Sequence, residues 1–107
     1  MQKKYVYLPA ECFYCNKSIE YRSDHTYDHI IPLAQGGTNT LDNVVDCCIS
    51  CNRLKSDKSL EVWRKDLKQQ IKGLNSNHPK FIHYNVIILT LEEALGGEND
   101  ENPFLGS

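Results

Sequence analysis

Two Cys-x-x-Cys pairs, Cys12/Cys15 and Cys48/Cys51, constrain this chain more than any other feature. Two thiolates separated by two residues chelate one ion when the backbone turns sharply between them, and two such pairs complete a tetrahedral four-cysteine set for zinc. The chain has 107 residues, which suits one domain with a modest core. Its basic start, Met1 to Tyr5, has no apolar signal core behind it, so an intracellular setting is expected, where thiols stay reduced. Zinc is therefore expected before disulfides. A redox pair needs a strand before and a helix directly after the motif, within a βαβ pattern, and the residues around Cys12 do not supply one. Four thiolates leave no open position on the metal, so the zinc is expected to be structural.

Between Cys15 and Cys48 lie 32 residues, against roughly 15–20 in ordinary paired knuckles. The excess is an insert that the zinc ties at both ends. At its centre Tyr27-Asp28-His29-Ile30-Ile31-Pro32 sets a carboxylate beside an imidazole. Aromatic and β-branched residues predict a strand over 27–31, stopped by Pro32. Gly36-Gly37 marks a turn needing positive φ, and 41–47 supplies a second strand. The two form a hairpin with a wide loop. Asn52 begins a helix after the second knuckle and is brought toward Asp28 and His29.

A short strand is expected over 3–8, ending at Pro9, and an irregular strand and turn over 18–26. Leu60, Trp63, Leu67, Ile71 and Leu74 recur at helical spacing, so a core-facing helix runs from about Leu60 to Lys72, with Trp63 as its anchor and Gly73 and Asn75 ending it. Residues 81–95 read either way. Phe81, Tyr84, Ile88, Leu91 and Leu95 make a helical stripe, while Val86 to Thr90 is β-branched enough for a strand; helix is favoured from Thr90. Residues 96–107 form an acidic tail expected to be disordered. Residues 91–107 hold five acids and no Lys or Arg. The rest of the chain carries 12 Lys+Arg against nine acids, and seven of those cations fall within 52–72. A locally basic segment suits phosphate contact, and equally a solvated helix face. No apolar run approaches the roughly 20 residues that span a membrane.

The pattern Cys12-x-x-Cys15, Asp28-His29-Ile30-Ile31-Pro32, Gly36-Gly37, Leu41-Asp42-Asn43-Val44, Cys48-x-x-Cys51-Asn52-x-x-Lys55 resembles the HNH endonucleases with the ββα-metal fold. The resemblance covers about residues 10–60; the last histidine of the family's name is here Asn52. It implies a small α+β domain over 1–95, a hairpin-plus-helix core stapled by a four-cysteine zinc site, with one or two flanking helices over about 60–95. It implies His29 as general base toward water attacking a phosphodiester, a task suited to an imidazole titrating near neutrality. Asp28 and Asn52 would hold a catalytic Mg²⁺ or Mn²⁺, since hard oxygen ligands favour those ions over zinc. Asn43 would bridge the loop and orient His29, and Lys55 or Arg53 would hold phosphate. The expected partner is DNA, in the cytoplasm of a bacterial or phage-infected cell, with the protein a monomer or homodimer.

Asp24-His25 repeats the Asp-His dipeptide without the following Ile-x-Pro. His78 and His83 lie outside the motif. Cys47 competes with Cys48 for the metal, but two-residue spacing to Cys51 favours Cys48 and leaves Cys47 as a small buried hydrophobe. Two other functions account for part of the pattern: a non-catalytic zinc module binding nucleic acid or protein, which has no need of Asp28, His29 or Asn52, and a thiol oxidoreductase, which needs a low-pKa cysteine and loses zinc on turnover.

Overall fold

In the computed structural model residues 6–96 are described. The tail beyond Gly96 and residues 3–5 of the expected first strand lie outside them. The chain divides into two compact units, Met1–Ser59 and Leu60–Ser107.

The first unit is built from two small antiparallel sheets and a helix. Strands β1 (Ala10–Glu11) and β2 (Ser18–Ile19) pair across the first knuckle, with Ala10 opposite Ile19. The expected strand over residues 6–8 does not form; pairing begins at Ala10 instead. The knuckle itself sets this ladder. The Cys12 amide donates to the Lys17 carbonyl and the Asn16 amide to the Cys12 carbonyl, with Asn16 left-handed at φ 64°. That turn places the residues flanking it, not those before Pro9, side by side.

Strand β3 (His25–His29) pairs with β4 (Val44–Cys48), His25 opposite Cys48 and His29 opposite Val44. The expected hairpin is present, with β3 displaced toward the N-terminus by two residues at each end. Its far end is closed by a side chain. Asn43 Oδ1 accepts from the Ile31 amide, and Asn43 Nδ2 donates to the carbonyls of Ile31 and Thr38. A buried amide thus takes over the partners that a continuing ladder would have provided.

The Gly36-Gly37 pair has two separate reasons. Gly36 is left-handed at φ 92°, with open space where a Cβ would stand. Gly37 does not have positive φ, but a Cβ there would lie 1.7 Å from the Ile31 carbonyl oxygen and 2.9 Å from Asn43 Nδ2. Gly37→Ala is expected to lower stability by roughly 2–4 kcal/mol, because the obstacle is backbone. Gly36→Ala is expected to cost only about 1 kcal/mol. Urea denaturation of the two variants measures the difference, and equal midpoints would refute the close-approach argument.

Helix α1 (Ile49–Lys55) follows β4 without a loop. Its N-cap is Cys48, whose sulfur accepts from the Cys51 amide at 3.4 Å. The Cys48 sulfur thus caps the helix that carries Cys51.

The second unit is a pair of helices, α2 (Leu60–Gln70) and α3 (Pro79–Ala94). Leu60, Trp63 and Leu67 are the buried stripe of α2, with Trp63 fully buried as expected. Helix α3 resolves the ambiguity over 81–95. It starts eleven residues before Thr90, at Pro79, which suits a first helical position because its missing N–H has no partner there anyway. His78 caps it, Nδ1 accepting from the Lys80 amide at 3.0 Å. The β-branched run is helical because Ile87, Ile88 and Leu91 fall on one buried side. Thr90 sits inside the helix and donates to the Val86 carbonyl. Lys68 and Glu92 pair between the two helices at 3.0 Å. No helix of the described residues is long and apolar enough to cross a membrane.

Candidate active site

The knuckles bring four sulfurs together. The Sγ atoms of Cys12, Cys15, Cys48 and Cys51 all lie within 4.8 Å of one another, with Cys15 and Cys48 3.9 Å apart. A tetrahedron of Zn–S bonds of about 2.3 Å has S···S edges of about 3.8 Å, so the donor set fits zinc. Its chemistry agrees. Hydrogen bonds from Cys15, Cys47 and Cys51 pull the Cys12 thiol far below its usual range. Sulfur contact with Cys12 pushes Cys15 up to about 11, and contacts with Cys12 and Cys15, then burial, push Cys51 up further. Sulfurs this close do not ionise together unless a cation replaces their protons. Cys47 is fully buried, outside this group, and donates to the Cys48 carbonyl oxygen.

Beside this cluster, within the first unit, is an open depression of about 270 Å³, lined by Tyr27, Asp28, His29, Asn52, Lys55 and the Pro32–Ala34 turn, among others. Strand β3 delivers Asp28 and His29, and α1 delivers Asn52 and Lys55. Neighbours on a strand point to opposite faces, and these two do diverge: Asp28 is buried, while His29 is half-buried and reaches the loop. Both still border one depression because β3 ends at His29. Lys55 Nζ grips the pair, 3.1 Å from Asp28 Oδ2 and 3.0 Å from the His29 carbonyl oxygen.

Asp28 has a second anchor. The Tyr14 hydroxyl donates to the same oxygen, Oδ2, at 2.6 Å. Burial, with the Asp28 charge beside it, pushes the Tyr14 phenol well above its usual value, so it remains a donor. Asn52 shows the same economy. Its Nδ2 donates to Thr26 Oγ1 at 3.2 Å and to the Tyr27 carbonyl at 3.3 Å, which leaves the amide oxygen as its available ligand atom. Each of the two residues is tied through one polar atom and keeps one oxygen. That donor pair fits a hard divalent cation, with water and phosphate completing the shell. The Lys55 ammonium beside Asp28 opposes such a cation and lowers its affinity.

His29 meets a partner that sequence reasoning missed. Its Nε2 lies 2.6 Å from Asn39 Oδ1 on the exposed loop. An amide oxygen accepts, so the neutral ring carries its proton on Nε2 and presents Nδ1 as the lone pair. Asn43, expected to bridge the loop and orient His29, makes its side-chain hydrogen bonds to the Ile31 amide and to the carbonyls of Ile31 and Thr38 across the loop. Lys55, expected at phosphate, is fully buried and engaged with Asp28 and His29. Arg53 is exposed on α1. The second Asp-His pair is engaged elsewhere. Asp24 pairs with Lys17 at 2.8 Å and accepts from the Ile49 amide, and His25 Nε2 lies 2.7 Å from Asp46 Oδ1. No local signal marked Asn39 or Tyr14. Each is an ordinary loop or core residue until the chain closes around it.

A sequence profile described as HNH endonuclease matches residues 12–68. The CRISPR-associated endonuclease Cas9 of Corynebacterium diphtheriae is 40% identical over 58 residues, 53% of this chain and 5% of that protein. Its namesake from Actinomyces naeslundii is 42% identical over 53 residues, 49% of this chain and again 5% of that protein. The chain therefore spans about one twentieth of the curated relatives it matches. The crystal structure of the Type II-C Cas9 enzyme from Actinomyces naeslundii aligns with a TM-score of 0.46 at 28% identity, over 76% of this chain and 11% of that one.

Proposed function

This chain belongs to the HNH endonuclease family, and on that premise we propose that it hydrolyses DNA phosphodiester bonds by a metal-dependent mechanism. The observation that carries the reading is the depression itself, where β3 and α1 bring together the His29 imidazole, the Asp28 carboxylate and the Asn52 carboxamide, with Asp57 also on its lining. His29 accepts the proton of the attacking water at Nδ1, and Asn39 holds the ring by accepting from Nε2. Asp28 and Asn52 would hold Mg²⁺ or Mn²⁺ through the oxygens not tied to the protein. When bound, that ion would stabilise charge developing on the phosphate and the departing oxygen. Lys55 holds the end of β3 rather than the substrate, which leaves Arg53 to meet the phosphate backbone. Zinc at the four cysteines keeps this assembly in place.

Supercoiled plasmid, incubated with zinc-loaded protein and Mg²⁺ or Mn²⁺, tests the reading. Nicked or linear product is expected. A folded, zinc-loaded protein inactive on single-stranded, double-stranded and RNA-paired DNA would favour a non-catalytic binding module instead. The role of Asn39 has its own test. Losing one hydrogen bond worth about 1 kcal/mol, Asn39→Ala is expected to lower the single-turnover rate by roughly five- to tenfold. An unchanged rate would remove Asn39 from the mechanism.

A further inference from the structure

The Tyr14–Asp28 hydrogen bond joins two parts of the molecule that have separate tasks. Tyr14 stands inside the first zinc knuckle, between Cys12 and Cys15, and is fully buried. Its hydroxyl reaches Asp28 on β3, 14 residues away, at 2.6 Å. The knuckle that carries it is held firmly. Its turn is closed by the Cys12–Lys17 and Asn16–Cys12 backbone bonds, and the Phe13 amide donates to the Asp46 carbonyl on β4. The Phe13 ring meets the Tyr14 ring edge-on at 5.1 Å.

We propose that Tyr14 is a positioning residue for the metal-binding carboxylate, so that the zinc knuckle sets the affinity of the catalytic ion. This rests on the reading of Asp28 as that ion's ligand. A carboxylate with one anchor can rotate; two donors arriving on the same oxygen fix its plane. Here the donors are the Tyr14 hydroxyl and the Lys55 ammonium, both on Oδ2, which leaves Oδ1 for the cation. Without the hydroxyl, Lys55 is the remaining anchor. The carboxylate then turns both oxygens toward the ammonium, and the divalent ion must compete with a resident charge. The hydrogen-bond partners of metal ligands act in this way generally. A phenylalanine fills nearly the same buried volume, so the bond to Asp28 depends on the hydroxyl alone.

Zinc-loaded Tyr14→Phe, in the full chain, is the test, with Mn²⁺ as the probe and no nucleic acid present. Bound Mn²⁺ is counted from the loss of the free-ion EPR signal. Zinc content is expected to stay at one per chain, while the Mn²⁺ dissociation constant rises about tenfold. Plasmid cleavage by the variant is expected to recover at high Mn²⁺, which separates ion affinity from turnover. Zinc-loaded Tyr14→Phe with wild-type Mn²⁺ affinity overturns the proposal. Asp28→Ala, run in parallel, separates the two readings. If it leaves Mn²⁺ binding intact, the ion is not at Asp28 and the proposed function falls together with this inference. If it abolishes binding while Tyr14→Phe changes nothing, only the role of Tyr14 falls. Should Tyr14→Phe fail to load zinc, the wild-type protein decides. The NMR resonance of the buried Tyr14 hydroxyl proton is expected to shift as Mg²⁺ saturates the site, and a resonance that does not move overturns the proposal.

Discussion

His29→Ala is expected to lower the rate of plasmid cleavage by roughly 10²–10⁴-fold, the usual contribution of a positioned general base. The loss belongs in turnover, at saturating metal, because His29 contacts the loop through Asn39 and takes no part in holding Asp28. Mn²⁺ binding and the thermal midpoint are expected to stay near wild type, since the ring is half-buried and its bond to Asn39 ends on an exposed loop. His25→Ala is the matched control. It removes an imidazole three residues from Asp28, but one paired with Asp46 and not among the residues that border the depression. A rate for His29→Ala within tenfold of wild type, or an equal loss in His25→Ala, would sink the assignment of His29 as base. Single-turnover rates across pH make the comparison, because product release does not obscure the chemical step there.

Removing the zinc is expected to have the largest effect on the fold. Structural zinc contributes roughly 10–16 kcal/mol of apparent binding free energy at neutral pH, as much as or more than the roughly 5–15 kcal/mol that holds a domain folded. In this chain it would also tie together three separate pieces: the knuckle that carries Tyr14, the C-terminal end of β4, and the start of α1. Cys51→Ser, or treatment with a strong chelator, is therefore expected to release the β3–β4 hairpin. Amide hydrogen exchange at residues 25–29 and 44–48 reads this directly. Protection there is expected to fall to that of an open chain, with cleavage lost in parallel. Cys47→Ala is expected to keep both zinc and protection, because the Cys47 sulfur lies outside the group of four. Retained protection in metal-free protein would show that the hairpin stands without zinc.

The close group of four cysteines, the hairpin and the first helix of the second unit were legible because each signal is local. Two residues between cysteines, a β-branched run ended by Pro32, and a helix stripe at Leu60, Trp63 and Leu67 depend only on near neighbours in the chain. Helix α3 was half legible. Its stripe pointed to helix and its β-branched run to strand, and the capped, proline-initiated start at Pro79 lay outside the ambiguous window. Gly37 was recognised for the wrong reason: it has no positive φ, and what it needs is room beside the Ile31 carbonyl.

The sequence by itself determined which residue types stand in what order: four cysteines that could hold zinc, with Asp28 and His29 between the pairs and Asn52 directly after the second. Only the tertiary structure decided how each is held. Tyr14 reaches Asp28 across 14 residues, Asn39 reaches His29 across ten, and Lys55 reaches the His29 carbonyl across 26. Lys55 carries the same charge in the sequence whether it faces phosphate or a buried carboxylate. Burial decides between them, because an ammonium taken out of water must find an anionic or carbonyl partner, and here β3 placed Asp28 and the His29 carbonyl within its reach.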